Sequence, residues 1–346
     1  MSTLRATNFQ HASATNPAIV LATDGSATSN VSAINGGPLA GFCNAIINGN
    51  FDIWQRGTSF TGNEYGADRW VNVRTGTTCT MARISWALGA APGENGAFSC
   101  RLTVGSVAGA GNASNLSQRI EGVSTFAGQQ VTISFWAKAD ASKPIAVDLQ
   151  QFFGSGGSPS ATVDGIGATK FTISTTWTKY TVTATIPSVS GKTLGSDGND
   201  RITLRIWFDA GSNFNSSTNT LGQQSGTFDI SQVQLEPGPV ATPFERRPIG
   251  TELALCQRYY FRNNNSNLSR TRNYAAGSAD VFFFYAWPVT LRATPTVTAA
   301  GDINDGASFT TWDINIPSKE NLLLAKSNIS TLQFVDLNEV TASAEL

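Results

Sequence analysis

Histidine occurs once in this chain, at His11. A Ser–His–Asp or Cys–His arrangement in the folded body is thereby excluded, as is a site built on several imidazoles. Carboxylates are the remaining catalytic candidates. A glycosidase needs two of them about 5–10 Å apart, and Asp52, Glu64, Asp68, Glu94 and Glu121 are available. Nothing in their spacing brings two into one cleft, and Asp68 beside Arg69 reads as an ion-paired corner. Gly154-Ser-Gly-Gly157 lacks both the Gly-Lys-Ser/Thr and the following helix of a phosphate loop. The chain therefore reads as non-enzymatic.

Aromatic side chains are the better candidates. Sugar rings stack their C–H faces on Trp and Tyr, while Asn, Gln, Asp and Arg bond the hydroxyls. Trp177 stands at a strand start, and Tyr65 and Phe153 border loops. These three are the candidate ligand contacts. Trp54, Trp70, Trp86, Trp136 and Trp207 lie mostly in apolar alternation and read as core. Trp54, Gln55 and Arg56 with Asp68, Arg69 and Trp70 suggest one structural cluster, Arg stacking on Trp and pairing with Asp, in preference to a ligand site.

The elements that must position these residues are strands. The chain has 346 residues, 40% hydrophobic but only 14% charged, against about 25% charged in ordinary soluble domains. Its polarity comes from Ser, Thr, Asn, Gln and Gly, which suit pleated surfaces and turns. The net charge is −1, and no basic stripe is present to neutralise phosphates, so no nucleic acid is expected. Cys43, Cys79, Cys100 and Cys256 form no C-x-x-C pair and read as buried small hydrophobes, with a Cys79–Cys100 bridge left open. Residues 1–10 have no apolar core, so no signal peptide is expected, and no run reaches the ~20 apolar residues of a membrane span.

Residues 1–42 read as a disordered tail or as an arm that orders on a partner, with Ile19 and Leu21 as its apolar contacts. From 43 to 240 period-two alternation recurs at 78–86, 98–104, 131–137, 145–152, 178–186, 201–208 and 227–235. That pattern predicts a sandwich or jelly roll. Residues 241–262 are a Pro-rich linker and the one expected helix, Thr251–Tyr260, with Thr251 as N-cap and Leu253, Cys256, Gln257 and Tyr260 on one face. Residues 263–346 are expected to form a smaller β-sandwich, with strands at 289–298 and 329–335. Val281–Trp287 is either a buried strand or an oligomer contact, with Phe282 and Phe284 as contact residues.

Ile46-Ile-Asn-Gly-Asn-Phe-Asp-Ile-Trp-Gln-Arg-Gly57 with Ala67-Asp-Arg-Trp70 resembles the opening of a domain common in bacteriophage tail-fibre and receptor-binding proteins. Val233–Gly238, Ala241–Pro248 and Glu252–Tyr260 resemble its close, and Trp287–Thr298 a strand pair of the same family. The resemblance implies a virion protein whose N-terminal arm docks on other virion proteins, a homotrimer, and host attachment through a surface glycan. A purely structural decoration role and a polysaccharide depolymerase are the alternatives. The depolymerase would ordinarily be a long repetitive β-helix, and no repeat is present. The middle region is also similar to carbohydrate-binding modules of the galactose-binding jelly-roll type. Those close with an Asp-Asp-Val-x-Leu-like strand that helps hold a structural calcium. Here Ser231 and Gln232 replace the acidic pair, leaving Asp52 and Asp229 as the carboxylates for such a site.

Overall fold

A computed structural model describes residues 8–9, 19–21, 23, 27–29, 42–87, 89–90, 92, 96–263, 269–273, 279–303, 307–330 and 333–346. His11 and Glu94 lie outside them, as does most of the N-terminal segment. The described parts of that segment are three short strands, β1 (Asn8–Phe9), β2 (Ile19–Leu21) and β3 (Ala27–Ser29), paired antiparallel in that order. Ile19 is half-buried there, and the Leu21 side chain is outside the described set.

The main body is an all-β jelly-roll sandwich. Its strands are β4 (Ser59–Phe60), β5 (Glu64–Tyr65), β6 (Trp70–Thr75), β7 (Thr78–Ser85), β8 (Phe98–Gly105), β9 (Ala113–Glu121), β10 (Gln130–Ala139), β11 (Lys143–Phe152), β12 (Val163–Ile173), β13 (Thr178–Thr185), β14 (Arg201–Ala210) and β15 (Gly226–Pro237). The first sheet runs β13-β10-β15-β8-β7-β4 and the second β12-β11-β14-β9-β6-β5, with antiparallel pairing throughout. Ile133, Phe135, Phe228, Leu204, Ile206 and Phe208 fill the space between them. Alternation sends every second residue of each strand into that core and the rest outward.

Five strands escaped the sequence pattern: the two-residue β4 and β5, and β6, β9 and β12. In β9 only Ile120 is β-branched, and Ser114, Asn115, Ser117 and Gln118 are buried polar groups. β12 carries Gly165 and Gly167 at φ +72° and +66°, next to register shifts against β11. β6 follows directly on the Asp68–Arg69 turn. Cys79 and Cys100 sit on neighbouring strands but face Val104 and Arg83 respectively; both are free thiols.

The opening segment is fastened to the closing strand. Asn48, at φ +56°, donates from its amide to the carbonyls of Ile53 and Asp68 and accepts from the Ile53 N–H. Gly49 accepts from the Val233 N–H at 2.9 Å. A Cβ at Gly49 would stand 2.1 Å from the Val233 carbonyl oxygen, so only glycine fits.

The linker helix differs from expectation. It is α2 (Ile249–Gln257), beyond a single turn α1 (Asn215–Thr218) that the sequence did not reveal. Pro248, not Thr251, takes the N-cap position; its carbonyl accepts from Thr251 N and Glu252 N, and its ring pre-sets the chain for the turn. Tyr260 is already in strand β16 (Tyr260–Asn263).

The C-terminal body continues with β17 (Ser269–Arg272), β18 (Ala279–Ala286), β19 (Thr296–Ile303), β20 (Ala307–Phe309), β21 (Ile314–Pro317), β22 (Asn321–Ile329) and β23 (Phe334–Ser343). One sheet is β16-β23-β19-β20 with β17 also on β23; the other is β18-β22-β21. Phe261, Phe283, Trp287, Trp312 and Leu324 lie in their shared core. Residues 289–295 are not a strand, because Pro288 and Pro295 bracket them. Residues 329–335 span the end of β22 and the start of β23. No helix among the described residues is long and apolar enough to cross a membrane.

A buried ionic network joins the two bodies. Arg69 pairs with Glu345 and lies 3.4 Å over the Tyr259 ring. Arg56 reaches Glu345 at 2.9 Å and lies 3.5 Å over Tyr260. The expected arginine cluster therefore exists, but its cations stack on tyrosines rather than tryptophans. Asp68 accepts from Gln55 N at 3.0 Å and sits 3.7 Å from Arg56. Burial pushes its carboxyl up from 3.8 to about 6, against the pull of Arg56. A carboxyl raised on folding stabilises fully below pH 3.8 and loses that contribution as the pH climbs through about 6. Relative to Asp68→Asn, the wild type should thus lose thermal stability between pH 4 and 6.5. Melting curves across that range check it, and a constant gap between the two proteins refutes it.

Candidate functional site

The second sheet has two unlike faces. Inward go Leu116, Ile145, Val147, Ile202 and Leu204, all 0% exposed. Outward go Asn115, Ser117 and Arg119 of β9, Thr203, Arg205 and Trp207 of β14, and Asp148 and Gln150 of β11. The ladder aligns them in rows: Asn115 with Trp207, Ser117 with Arg205 and Asp148, Arg119 with Thr203 and Gln150, and Arg201 with Phe152. All of these but Phe152 and the buried Asp148, together with Val73, Arg74, Thr75 and Phe214, line an open groove of about 230 Å³ across the sheet.

One end of the groove is walled by the turn Ser212–Phe214 and α1. Phe214 packs on Trp207 with ring centres 5.3 Å apart. A Cβ on Gly165 would come 2.7 Å from the Ser216 carbonyl oxygen, so the glycine in β12 lets α1 lie on the strand. At the other end, Arg119 donates to the Leu346 carbonyl oxygen and, at 3.4 Å, to the Tyr65 hydroxyl.

Asp148 organises the floor. It is 0% exposed and accepts from Arg205 Nε at 2.9 Å, Trp207 Nε1 at 2.8 Å and Gly165 N at 3.1 Å. Arg205 also reaches Asp164 at 2.9 Å, and Gln150 donates to the same carboxylate at 2.7 Å. Burial raises the Asp148 carboxyl, and the Arg205 hydrogen bond opposes that. Its oxygens are already occupied by protein donors, so it orients Arg205 and Trp207 and presents no free carboxylate to a ligand. What the groove offers is a polar, hydrogen-bonding surface beside the half-buried ring of Phe214, which is seated on the buried Trp207. Such a surface suits a hydroxyl-rich ligand.

The residues singled out from the sequence lie elsewhere. Phe153 is 1% exposed beneath the 195–199 loop, where Gly195 N bonds its carbonyl, so it cannot contact a ligand. Tyr65 is half-buried at the junction, its hydroxyl donating to Leu346 and its ring beside Arg56 and Arg119. It borders the end of the groove and is no free platform. Trp177 lies outside the first sheet, edge-on to Trp86 at 5.8 Å and beside Lys138. The two candidate calcium carboxylates are engaged separately. Asp229 is bound by Arg101 at 2.7 and 2.9 Å, and Asp52 accepts from Asn50 at 3.0 Å. No cluster of three metal-ligating side chains occurs among the described residues. Phe282 and Phe284, 53% and 70% exposed, point out of β18 while Val281 and Phe283 point in, so the apolar run is neither wholly buried nor wholly exposed.

Sequence reasoning missed the groove because it looked for aromatics at loops. The signal lay within the strand Arg201-Ile-Thr-Leu-Arg-Ile-Trp207, whose outward set is Arg, Thr, Arg, Trp.

The family described as "Carbohydrate binding domain" matches residues 44–195, which supply β6, β9, β11 and β12 of the grooved sheet. No curated protein matches the sequence. Among solved structures, the enzymatically active domain of bacteriophage CBA120 tailspike protein 4 is 17% identical, with TM-score 0.34, over 57% of this chain and 22% of that one. The chain thus spans under a quarter of the tailspike domain's length. A CBM4 structure is 17% identical over 55% of this chain and 98% of that one, TM-score 0.32. The family 11 carbohydrate-binding module of a cellulosomal cellulase of Clostridium thermocellum is 10% identical over 52% and 95%, TM-score 0.32.

Replacing Asp148 by Ala strands Arg205 without its main counter-charge and frees the Trp207 N–H. The expected cost is about 3–5 kcal/mol of stability, read by urea denaturation; a loss under about 1 kcal/mol, the scale of an ordinary exposed pair, contradicts the assigned role.

Proposed function

We propose that this chain is a non-catalytic glycan-binding protein, and that the groove on the second sheet is where the glycan lies. The observation that carries the reading is the groove itself: a sheet face of Asn, Ser, Thr, Gln and Arg beside the half-buried ring of Phe214. Much of it is built from the segment that matches a carbohydrate binding domain. Side chains held by neighbouring strands present donors and acceptors at fixed spacing, so little entropy is lost on binding. Such a site is shallow, and single-site affinity is correspondingly modest.

The tail-fibre-like motifs at 46–70 and 233–260 support a place for the protein in a phage virion. There an appendage would meet a host surface glycan and many copies would raise a weak affinity into attachment. Homo-oligomerisation, as a trimer, belongs to the same reading. Phe282 and Phe284 on the edge strand β18, with Ile316 at 58% exposure across the same sheet face, are its proposed contact.

A glycan array probed with the full chain tests the binding reading. The double variant Asn115→Ala/Gln150→Ala should lose at least about tenfold in affinity, one lost hydrogen bond each, while Trp177→Ala binds as the wild type does. Binding that survives the groove variant and vanishes with Trp177→Ala would move the site to the first sheet. For the oligomer, Phe282→Ser/Phe284→Ser should sediment as monomer where the wild type sediments as trimer; an unchanged mass sinks that contact.

A further inference from the structure

We infer that the saccharide held in this groove is anionic, and that Arg201 reads its negative group; the inference rests on the glycan-binding reading above. Four arginines line the groove and differ in what balances them. Arg74 of β6, in register with Ser114 of β9, donates to the Thr77 carbonyl at 3.3 Å. Like Arg201 it has no ion pair among the described residues and a buried Nε without a partner, but no second unpartnered groove-lining side chain is paired beside it. Arg205 is neutralised by Asp148 and Asp164. Arg119 is taken up by the Leu346 oxygen and Tyr65. Arg201 forms no ion pair among the described residues. Its Nη1 donates to the Asn199 carbonyl at 3.0 Å, and its Nε is buried with no hydrogen-bond partner. The guanidinium rests 4.1 Å over the Phe152 ring, its register neighbour on β11.

A second unsatisfied group stands one row along. Thr203 is 5% exposed, and its hydroxyl oxygen is buried without a partner. Thr203 lies on the same outward face of β14, opposite Gln150. Burying the Arg201 Nε–H and the Thr203 hydroxyl without partners is unfavourable. Burial, with the like charge of Arg119, holds the Arg201 guanidinium down at about 10, so it is still protonated at neutral pH. Strain of this kind is relieved by a ligand that brings a negative charge and a hydroxyl together. A uronic acid does so, as does a sulfated or phosphorylated sugar: two oxygens meet the guanidinium fork, and a ring hydroxyl meets Thr203. A neutral sugar would leave the cation unbalanced.

The test is calorimetric titration of the full chain with polygalacturonate, with the same polymer after carboxyl reduction, and with a sulfated galactan and its desulfated form. An anionic polymer is expected to bind at least tenfold tighter than its neutral counterpart, with affinity falling as salt is added. Which of the two anions binds identifies the group. In Arg201→Gln that affinity ratio should fall toward one while the melting temperature rises, because an uncompensated charge has gone. Arg201→Lys, which keeps the charge but not the fork, should retain part of the ratio. A merely structural Arg201 would instead lower the melting temperature on substitution. Equal binding to charged and neutral polymers overturns the anionic inference and leaves the glycan reading standing. Absence of binding to all four, together with a silent array, overturns both.

Discussion

The contact on which the architecture turns is the approach of Gly49 to the backbone of Val233. It locks the opening segment of the sandwich to its closing strand, at a distance no side chain allows. Asn48 completes the knot by holding the Ile53 and Asp68 backbone, and the Trp70 indole donates to the Asn48 carbonyl at 3.0 Å. From this point the Asp68–Arg69 turn is aimed at the C-terminal body, and β6 is delivered to the edge of the grooved sheet. Core, junction and groove all descend from one tight corner.

The second sheet shows how a single alternating pattern serves two ends. Its inward residues are mostly apolar, with buried polar exceptions such as Asn72, Ser114 and Gln118, so the register cannot slip without exposing the apolar set. That rigidity fixes the outward polar residues in rows. Asp148 and Arg205 then withdraw each other from the surface chemistry, and Gln150, Arg119 and Ser117 are held in place by bonds to Asp164, Leu346 and Asn115. The groove is therefore a by-product of packing that has been furnished with hydrogen-bonding groups, and Phe214 at its end is supplied by the turn Ser212–Phe214 that leads into α1.

Much of the fold was legible in the sequence because strands rich in β-branched residues advertise themselves. Residues 131–137, 145–152, 201–208 and 227–235 all proved to be strands. β9 did not advertise itself, since Ser114, Asn115, Ser117 and Gln118 read as loop; Ser114 and Gln118 face inward, Gln118 pairing with the Ile47 backbone, and Asn115 and Ser117 line the groove. β12 was hidden by two glycines that look like a linker and act as bulges. The binding surface was harder still. Which outward residues become neighbours depends on the strand order β11-β14-β9-β6, and no local pattern encodes that order. The arginine cluster at 56–69 was visible as a cluster, but its tyrosine platforms and Glu345 lie about two hundred residues or more away along the chain.

The closing residues of the described chain have a mechanical side. Glu345 and Leu346 are seized by Arg56, Arg69, Arg119 and Tyr65, while α2 enters the C-terminal body beside the same corner, tied by Arg258 to Glu121 at 3.0 Å. The smaller sandwich is thus clasped to the larger at both its first and its last strand. A pull on one body is passed to the other through two attachments at once, and the pair resists bending as a welded joint does, where a single linker would have made a hinge.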